Sequence, residues 1–159
     1  MSGKALLALS GILLVAGFLR FWKITETPPG LYPDEAMNGN NAIEAAARDR
    51  FAVFYPDNYG REGLFMNIQY FSIRNFGNEP FSLRLVSGIF GVLTVLGLFF
   101  LARQMFHPEK NRTRIALLSS FFLAVSFWHI NFSRIGFRAI MAPFFLVWSL
   151  YFFFRFYKD

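Results

Sequence analysis

Asp34 and Glu35 are adjacent carboxylates, set after Leu31-Tyr32-Pro33 and before a stretch rich in Ala and Asn. A carboxylate so placed can take the proton of an acceptor hydroxyl or help hold a divalent cation such as Mg or Mn. The same residues also suit a structural task, because Asp34 is a natural N-cap and a first-turn acid favours the helix dipole. Arg84, Arg134 and Arg138 form a second group, the last two being four residues apart and so on one helical face. Guanidinium matches phosphate by two-point hydrogen bonding, so these three are candidates for a lipid-linked phosphate, or for ordinary phospholipid headgroups. Arg61 and Glu62 lie between Gly60 and Gly63. They read either as part of an acceptor or sugar site or as a surface ion pair worth little. His129 beside Trp128 reads as hydrogen-bonded packing. One acidic pair is too few ligands to decide on a metal, so the metal is unknown and no cofactor is assigned. Without cysteine there is no thiolate site, and no nucleotide-binding loop, zinc spacing or nucleophile elbow is found.

The elements that must carry these residues are apolar. Hydrophobic residues make up 55% of the 159, aromatics 20% and charged residues 16%, against about 25% charge in soluble domains. Twenty-three residues are Phe. That composition excludes a freely soluble or a disordered chain. The net charge of +6 would suggest nucleic acid in a polar chain. Here the apolar content favours a membrane instead, so no nucleic-acid partner is expected. Four charge-poor stretches predict an all-α, polytopic membrane protein with spans at about 5–22, 84–103, 115–133 and 138–157. These make one membrane domain over 1–159, with a long first loop at about 23–83. Arg20-Phe21-Trp22-Lys23 reads as an interfacial anchor rather than a signal-peptide cleavage region.

Sorting of Lys and Arg sets the orientation. The N-terminus, the 103–114 loop and the C-terminus share one side and hold seven basic and two acidic residues. The short 103–114 loop carries four of those bases, so both termini are expected in the cytoplasm and the first loop outside, in the cell membrane. That loop is too long for a simple connection. Thr27-Pro28-Pro29-Gly30 leads the chain out of the first span. Ala36 to Arg48 reads as a helix, 55–60 as a turn, and Leu64 to Phe76 as an amphipathic interfacial helix ended by Gly77. Gly88, Gly91 and Gly97 thin one side of the second span for close helix contact.

The order of motifs resembles a known family. It runs from Leu19-Arg20-Phe21 through Pro29-Gly30-Leu31-Tyr32-Pro33-Asp34-Glu35-Ala36 and Gly60-Arg61-Glu62-Gly63-Leu64-Phe65. Then come Phe81-Ser82-Leu83-Arg84-Leu85 and Ser133-Arg134-Ile135-Gly136-Phe137-Arg138. This resembles the N-terminal portion of glycosyltransferase family 39-like proteins of the GT-C superfamily. That group includes the protein O-mannosyltransferases and the lipid A aminoarabinose transferase. The resemblance implies transfer of a sugar from a polyprenyl-phosphate donor to an extracytoplasmic acceptor, which is a protein, lipid or glycan. Asp34, with Glu35 beside it, is then the catalytic acidic position. Arg84, Arg134 and Arg138 would stabilise the charge developing on the lipid phosphate. Relatives are longer, so the chain reads as part of such an enzyme, with membrane lipids and a further membrane subunit as partners. The alternative is a non-catalytic membrane subunit or scaffold that binds lipid phosphate.

Overall fold

The computed structural model describes residues 2–48, 51–56 and 60–158. Helix α1 spans Gly3–Phe21, α2 Pro33–Ala47, α3 Leu64–Phe76, α4 Pro80–Met105, α5 Arg112–Ala124, α6 Phe127–Arg134 and α7 Met141–Lys158. A 3₁₀ turn at Arg138–Ile140 leads into α7. Two short strands, β1 (Phe54–Tyr55) and β2 (Arg61–Glu62), pair antiparallel with Phe54 opposite Glu62 and Tyr55 opposite Arg61. This ladder is the one feature outside an all-α description among the described residues, and no alternating apolar run announces it.

Helix α4 is the axis of the molecule and packs against α1, α3, α5, α6 and α7. Its glycines make those approaches possible. A Cβ on Gly88 would lie 2.4 Å from the Phe21 ring, and one on Gly97 would lie 2.8 Å from Val147. One on Gly91 would lie 2.3 Å from Ser133 Oγ and 2.9 Å from Arg20 Nε. Small apolar clusters fill the seams. Ala16, Val95 and Ala124 join α1, α4 and α5, and Leu9, Phe99, Ala102 and Ala116 do so one level further along. A third cluster, including Ala42, Tyr55, Phe65, Met66, Val86 and Ile140, seats the long loop on the helices.

Three helices are long and apolar enough to cross a membrane: Gly3–Phe21, Pro80–Met105 and Arg138–Tyr157. The expected third span differs, because it is a pair of helices, α5 and α6, bent by 57° at their junction. Ser126 leaves the helical region, with φ −63° and ψ 121°, and the chain restarts as α6. A continuous helix would spend the Ala124 carbonyl on an N–H four residues later. At the break this carbonyl accepts instead from Arg20 Nη1 at 3.1 Å.

The long loop also departs in detail from its sequence-based reading. Helix α2 starts at Pro33, not Ala36, since proline is well placed in a first helical turn, where its missing N–H is not needed. Asp34 therefore lies inside the helix and Tyr32 takes the N-cap position. Part of the expected 55–60 turn, residues 57–59, lies outside the described residues. Helix α3 ends at Gly77, whose φ of 85° suits glycine. Its buried face is Phe65, Met66, Gln69 and Ser72, while Leu64, Phe71 and Phe76 face outward.

Gly91→Leu must displace Ser133 or Arg20. It should lower stability by about 1–3 kcal/mol, read as a fall in thermal midpoint in detergent. Gly11→Leu, at a position with nothing within 4 Å, should leave the midpoint nearly unchanged.

Candidate functional site

The two adjacent acids are separated by the geometry of α2. Glu35 turns inward and is fully buried. Its Oε2 accepts from the Tyr32 backbone N–H at 3.2 Å, closing the N-terminus of its own helix. Its Oε1 accepts from Arg84 Nε at 2.9 Å and from the Gly136 N–H at 3.0 Å. Arg84 Nη2 reaches Oε2 at 3.3 Å. Gly136 can come this close because it has no side chain: a Cβ there would lie 3.0 Å from Glu35 Cγ and 3.1 Å from Gln69 Nε2.

Arg84 enters from the first turns of α4, just past Pro80, and is itself fully buried. Besides Glu35 it donates to the carbonyls of Ile24 at 2.7 Å, Pro28 at 3.0 Å and Gly30. The five N–H groups of its guanidinium thus meet five protein acceptors. The 24–30 segment, which has no regular structure of its own, is held at three carbonyls by this side chain. Arg134 does the same from the other side. It donates to Leu19 O and Trp22 O at 2.8 Å, to Thr27 O at 2.8 Å, and more weakly to the Arg20 and Lys23 carbonyls. Those are the orphan carbonyls at the end of α1 and beyond, which a cation satisfies well. Both arginines, expected to face lipid phosphate, are therefore engaged with protein carbonyls.

The short hairpin places the remaining charges by simple alternation. Arg61 points inward and is almost fully buried, while Glu62 points outward. Arg61 Nη1 donates to Asn38 Oδ1 at 2.7 Å, and Nη2 to Asp34 Oδ1 at 3.0 Å. Asn38 Nδ2 donates to the Gly136 carbonyl at 3.0 Å. The Gly136 peptide is thus read from both sides, its N–H by Glu35 and its carbonyl by Asn38. Glu62 pairs with Arg138, whose side chain is 32% exposed. Burial of Glu62 opposes ionisation, but its own backbone N–H, the Arg138 hydrogen bond and the Arg138 and Arg61 charges outweigh it and hold its pKa below 4.5.

Of the two adjacent acids Asp34 is the open one, with its side chain 36% exposed against none of Glu35's. Glu35, Arg84 and Arg61 lie beneath it, so the structure brings four of the expected residues, Asp34, Glu35, Arg61 and Arg84, to the start of α2, and the Glu62–Arg138 pair adjoins them through the hairpin. Arg134 lies apart, at the end of α1. Asn38 belongs to the site and was missed by residue type, although its position four residues after Asp34 puts both on one helical face. Among the described residues no three His, Asp or Glu side chains converge as a metal site would. Asp34 and Glu35 do not share a ligand position, because they are turned toward different arginines.

Removing one partner of the buried pair leaves an uncompensated charge. Arg84→Met should cost about 3–5 kcal/mol, and the double variant with Glu35→Leu should recover part of it, as seen in thermal midpoints. The Arg138–Glu62 contribution has the sign of a depressed acid. It is complete above pH 4.5 and is lost as pH falls through the lower folded-state value. Glu62→Gln should remove that acid-sensitive step from a titration of the midpoint.

The sequence model of the dolichyl-phosphate-mannose-protein mannosyltransferase family matches residues 64–159. The matched part holds Arg84, Arg134 and Arg138, and the chain preceding it holds Asp34 and Glu35. No curated protein and no solved structure matches the chain. The family match covers more than half of the sequence and includes Arg84, the arginine paired with Glu35, so the chain belongs to the dolichyl-phosphate-mannose-protein mannosyltransferase family, with the GT-C kinship that its motifs imply.

Proposed function

We propose that this chain carries the catalytic acidic site of a GT-C glycosyltransferase. It would move a sugar from a polyprenyl-phosphate donor to a hydroxyl acceptor on the extracytoplasmic side of the membrane. One observation carries the reading: Glu35 is consumed by Arg84 and Gly136, and this holds its neighbour Asp34 at the surface of a rigid polar cluster. Asp34 accepts the proton of the acceptor hydroxyl as that oxygen attacks the anomeric carbon. The bond from that carbon to the phosphate oxygen breaks, the electron pair leaves with the polyprenyl phosphate, and the sugar carbon inverts. Arg61 and Asn38 fix Asp34 in place.

In this reading the three arginines divide by role. Arg84 and Arg134 position the loop. Arg138, partly exposed and balanced by an exposed acid, is the one placed to exchange its partner for a lipid phosphate. A groove of about 340 Å³ lined by Pro28, Gly30, Tyr32, Pro33, Asn131 and Ile135 runs beside the start of α2 and offers an entry to the site. The orientation is that of positive-inside sorting: termini in the cytoplasm and the loop carrying Asp34 outside, at the cell membrane. Further membrane segments or a subunit complete the donor groove.

Asp34→Asn should abolish transfer from a radiolabelled polyprenyl-phosphate sugar in membranes while leaving the thermal midpoint within about 1 kcal/mol of the unaltered protein. Unchanged turnover would overturn the assignment. Topology is tested separately with the natural absence of cysteine. A cysteine at exposed Asn40 should react with an impermeant thiol reagent on intact cells, and one at exposed Asn111 only after permeabilisation.

A further inference from the structure

Helix α3 has an apolar edge that neither the packing nor the transfer site uses. Leu64, Ile68 and Phe71 recur at the spacing of one helical face. Leu64 is 49% and Phe71 51% exposed, and Ile68 is half-buried. The chain that leads into the hairpin extends this edge. The Phe51 ring, 50% exposed, lies 5.5 Å from that of Phe71 and 5.3 Å from that of Tyr70. Val53 is 91% exposed, and its carbonyl accepts the Gly63 N–H at 2.7 Å, which sets it beside Leu64. Phe51, Val53, Leu64 and Phe71 thus form one apolar face, and a face of this kind marks a site of contact.

The packing of α3 on α4 gives the level of this face. The Phe76 ring meets that of Phe81 at 5.7 Å, and Gln69 Nε2 donates to the Leu83 carbonyl at 3.2 Å. Phe65 and Met66 share a core with Val86, against which Phe90 also packs. From Phe76 back to Phe65 is about 16 Å of helix, whereas Phe81 to Val86 is about 8 Å. Helix α3 therefore runs nearer to the membrane plane than to the axis of α4. The uncharged stretch of α4 between Arg84 and Arg103 is about as long as a hydrocarbon core is thick. Val86 and Phe90 lie about 3 Å and 9 Å inside Arg84, so α3 rests where headgroups give way to acyl chains. Its two edges differ. One is covered by α2 through Ala42 and Ala45, and α2 shows Asn40, Glu44 and Arg48 on its exposed side. The other is the apolar edge.

We propose that Phe51, Val53, Leu64 and Phe71 insert among the acyl chains of the leaflet at the start of α4 and seat the long loop on the membrane. Helical spacing alone leads to an interfacial α3. The ring contacts and the Val53–Gly63 bond add Phe51 and Val53 to it and name the edge that goes in. A cation stands at the rim. Arg74 is exposed, donates to the Tyr70 hydroxyl at 3.4 Å and belongs to none of the ion pairs among the described residues. It can meet headgroup phosphate while the apolar side chains go below. Strand β2, which adjoins this edge through Gly63, carries Arg61 and Glu62, so insertion also fixes the depth of those two side chains. The inference does not depend on glycosyl transfer.

The test uses single spin labels, since the sequence has no cysteine of its own. Val53→Cys and Leu64→Cys probe the edge in the full chain. Leu118→Cys, on the exposed apolar side of α5, is the lipid reference, and Asn40→Cys on α2 is the water reference. Each labelled protein is reconstituted in vesicles of phosphatidylcholine and phosphatidylglycerol. Relaxation of the label by oxygen, which concentrates among acyl chains, is compared with relaxation by a water-soluble nickel chelate. The labels at 53 and 64 should favour oxygen, as the one at 118 does, and the label at 40 should favour nickel. Val53 is so exposed that its replacement leaves the packing intact. A nickel preference at 53 or 64 places the edge in water and overturns the proposal. Weak relaxation by both reagents overturns it as well, because protein then covers the edge.

Discussion

Arg84 and Glu35 hold the outer part of this molecule together. Each is fully buried, and each is costly to bury alone. Together they satisfy nearly everything around them. Glu35 collects N–H groups from its own helix start and from Gly136. Arg84 collects three carbonyls from a loop with no ladder of its own. The pair lies where α2, α4, the 24–30 loop and the 134–138 turn meet. None of these could be moved without leaving a buried charge or a buried peptide group unmatched. A proline- and glycine-rich segment is thereby fixed in place by two side chains.

A second cation does similar work inside the helical bundle. Arg20 reaches the Ala124 carbonyl at the break between α5 and α6 and the oxygen of Ser133 across the gap made by Gly91. Backbone groups away from water must be satisfied from within the protein. The break in the third stretch is tolerable because a guanidinium is already there to receive the freed carbonyl. Bend, glycine and arginine are one device, and substitution of any of them is felt at the other two.

Helical content, the ends of α3 and the glycine-lined face of α4 were legible in the sequence, because each depends on local pattern. Four apolar stretches were legible too, but not the 57° bend in the third, since Val125-Ser126 carries neither Pro nor Gly. Asp34 and Glu35 stood out by type, and the fate of each did not. Which carboxylate is buried depends on Arg84 and on Gly136, 49 and 101 residues away. The outward arginines were expected at phosphate. Arg84 meets Glu35 and three carbonyls and Arg134 a set of carbonyls, because the loop and the end of α1 supply many acceptors at close range and no pattern of residues announces those. His129 was read as hydrogen-bonded packing, and its bond to Arg20 agrees with that.

The adjacency of the two acids has a geometric meaning. Successive residues on an α-helix project about 100° apart, so a pair at the start of α2 cannot share one environment. If one is drawn into the interior by a buried arginine, the other is turned to the rim, next to whatever that interior holds in place. Arg61 meets Asp34 from below, and Asn38, one turn further along the same face, ties Arg61 to the Gly136 peptide that Glu35 already binds. The two carboxylates are therefore connected through shared partners although they do not touch. Pro33 contributes by starting the helix one residue before Asp34, which sets the phase of the whole arrangement. Starting α2 one residue later would make Pro33 the N-cap, and its missing N–H could not replace the Tyr32 N–H that Glu35 now receives.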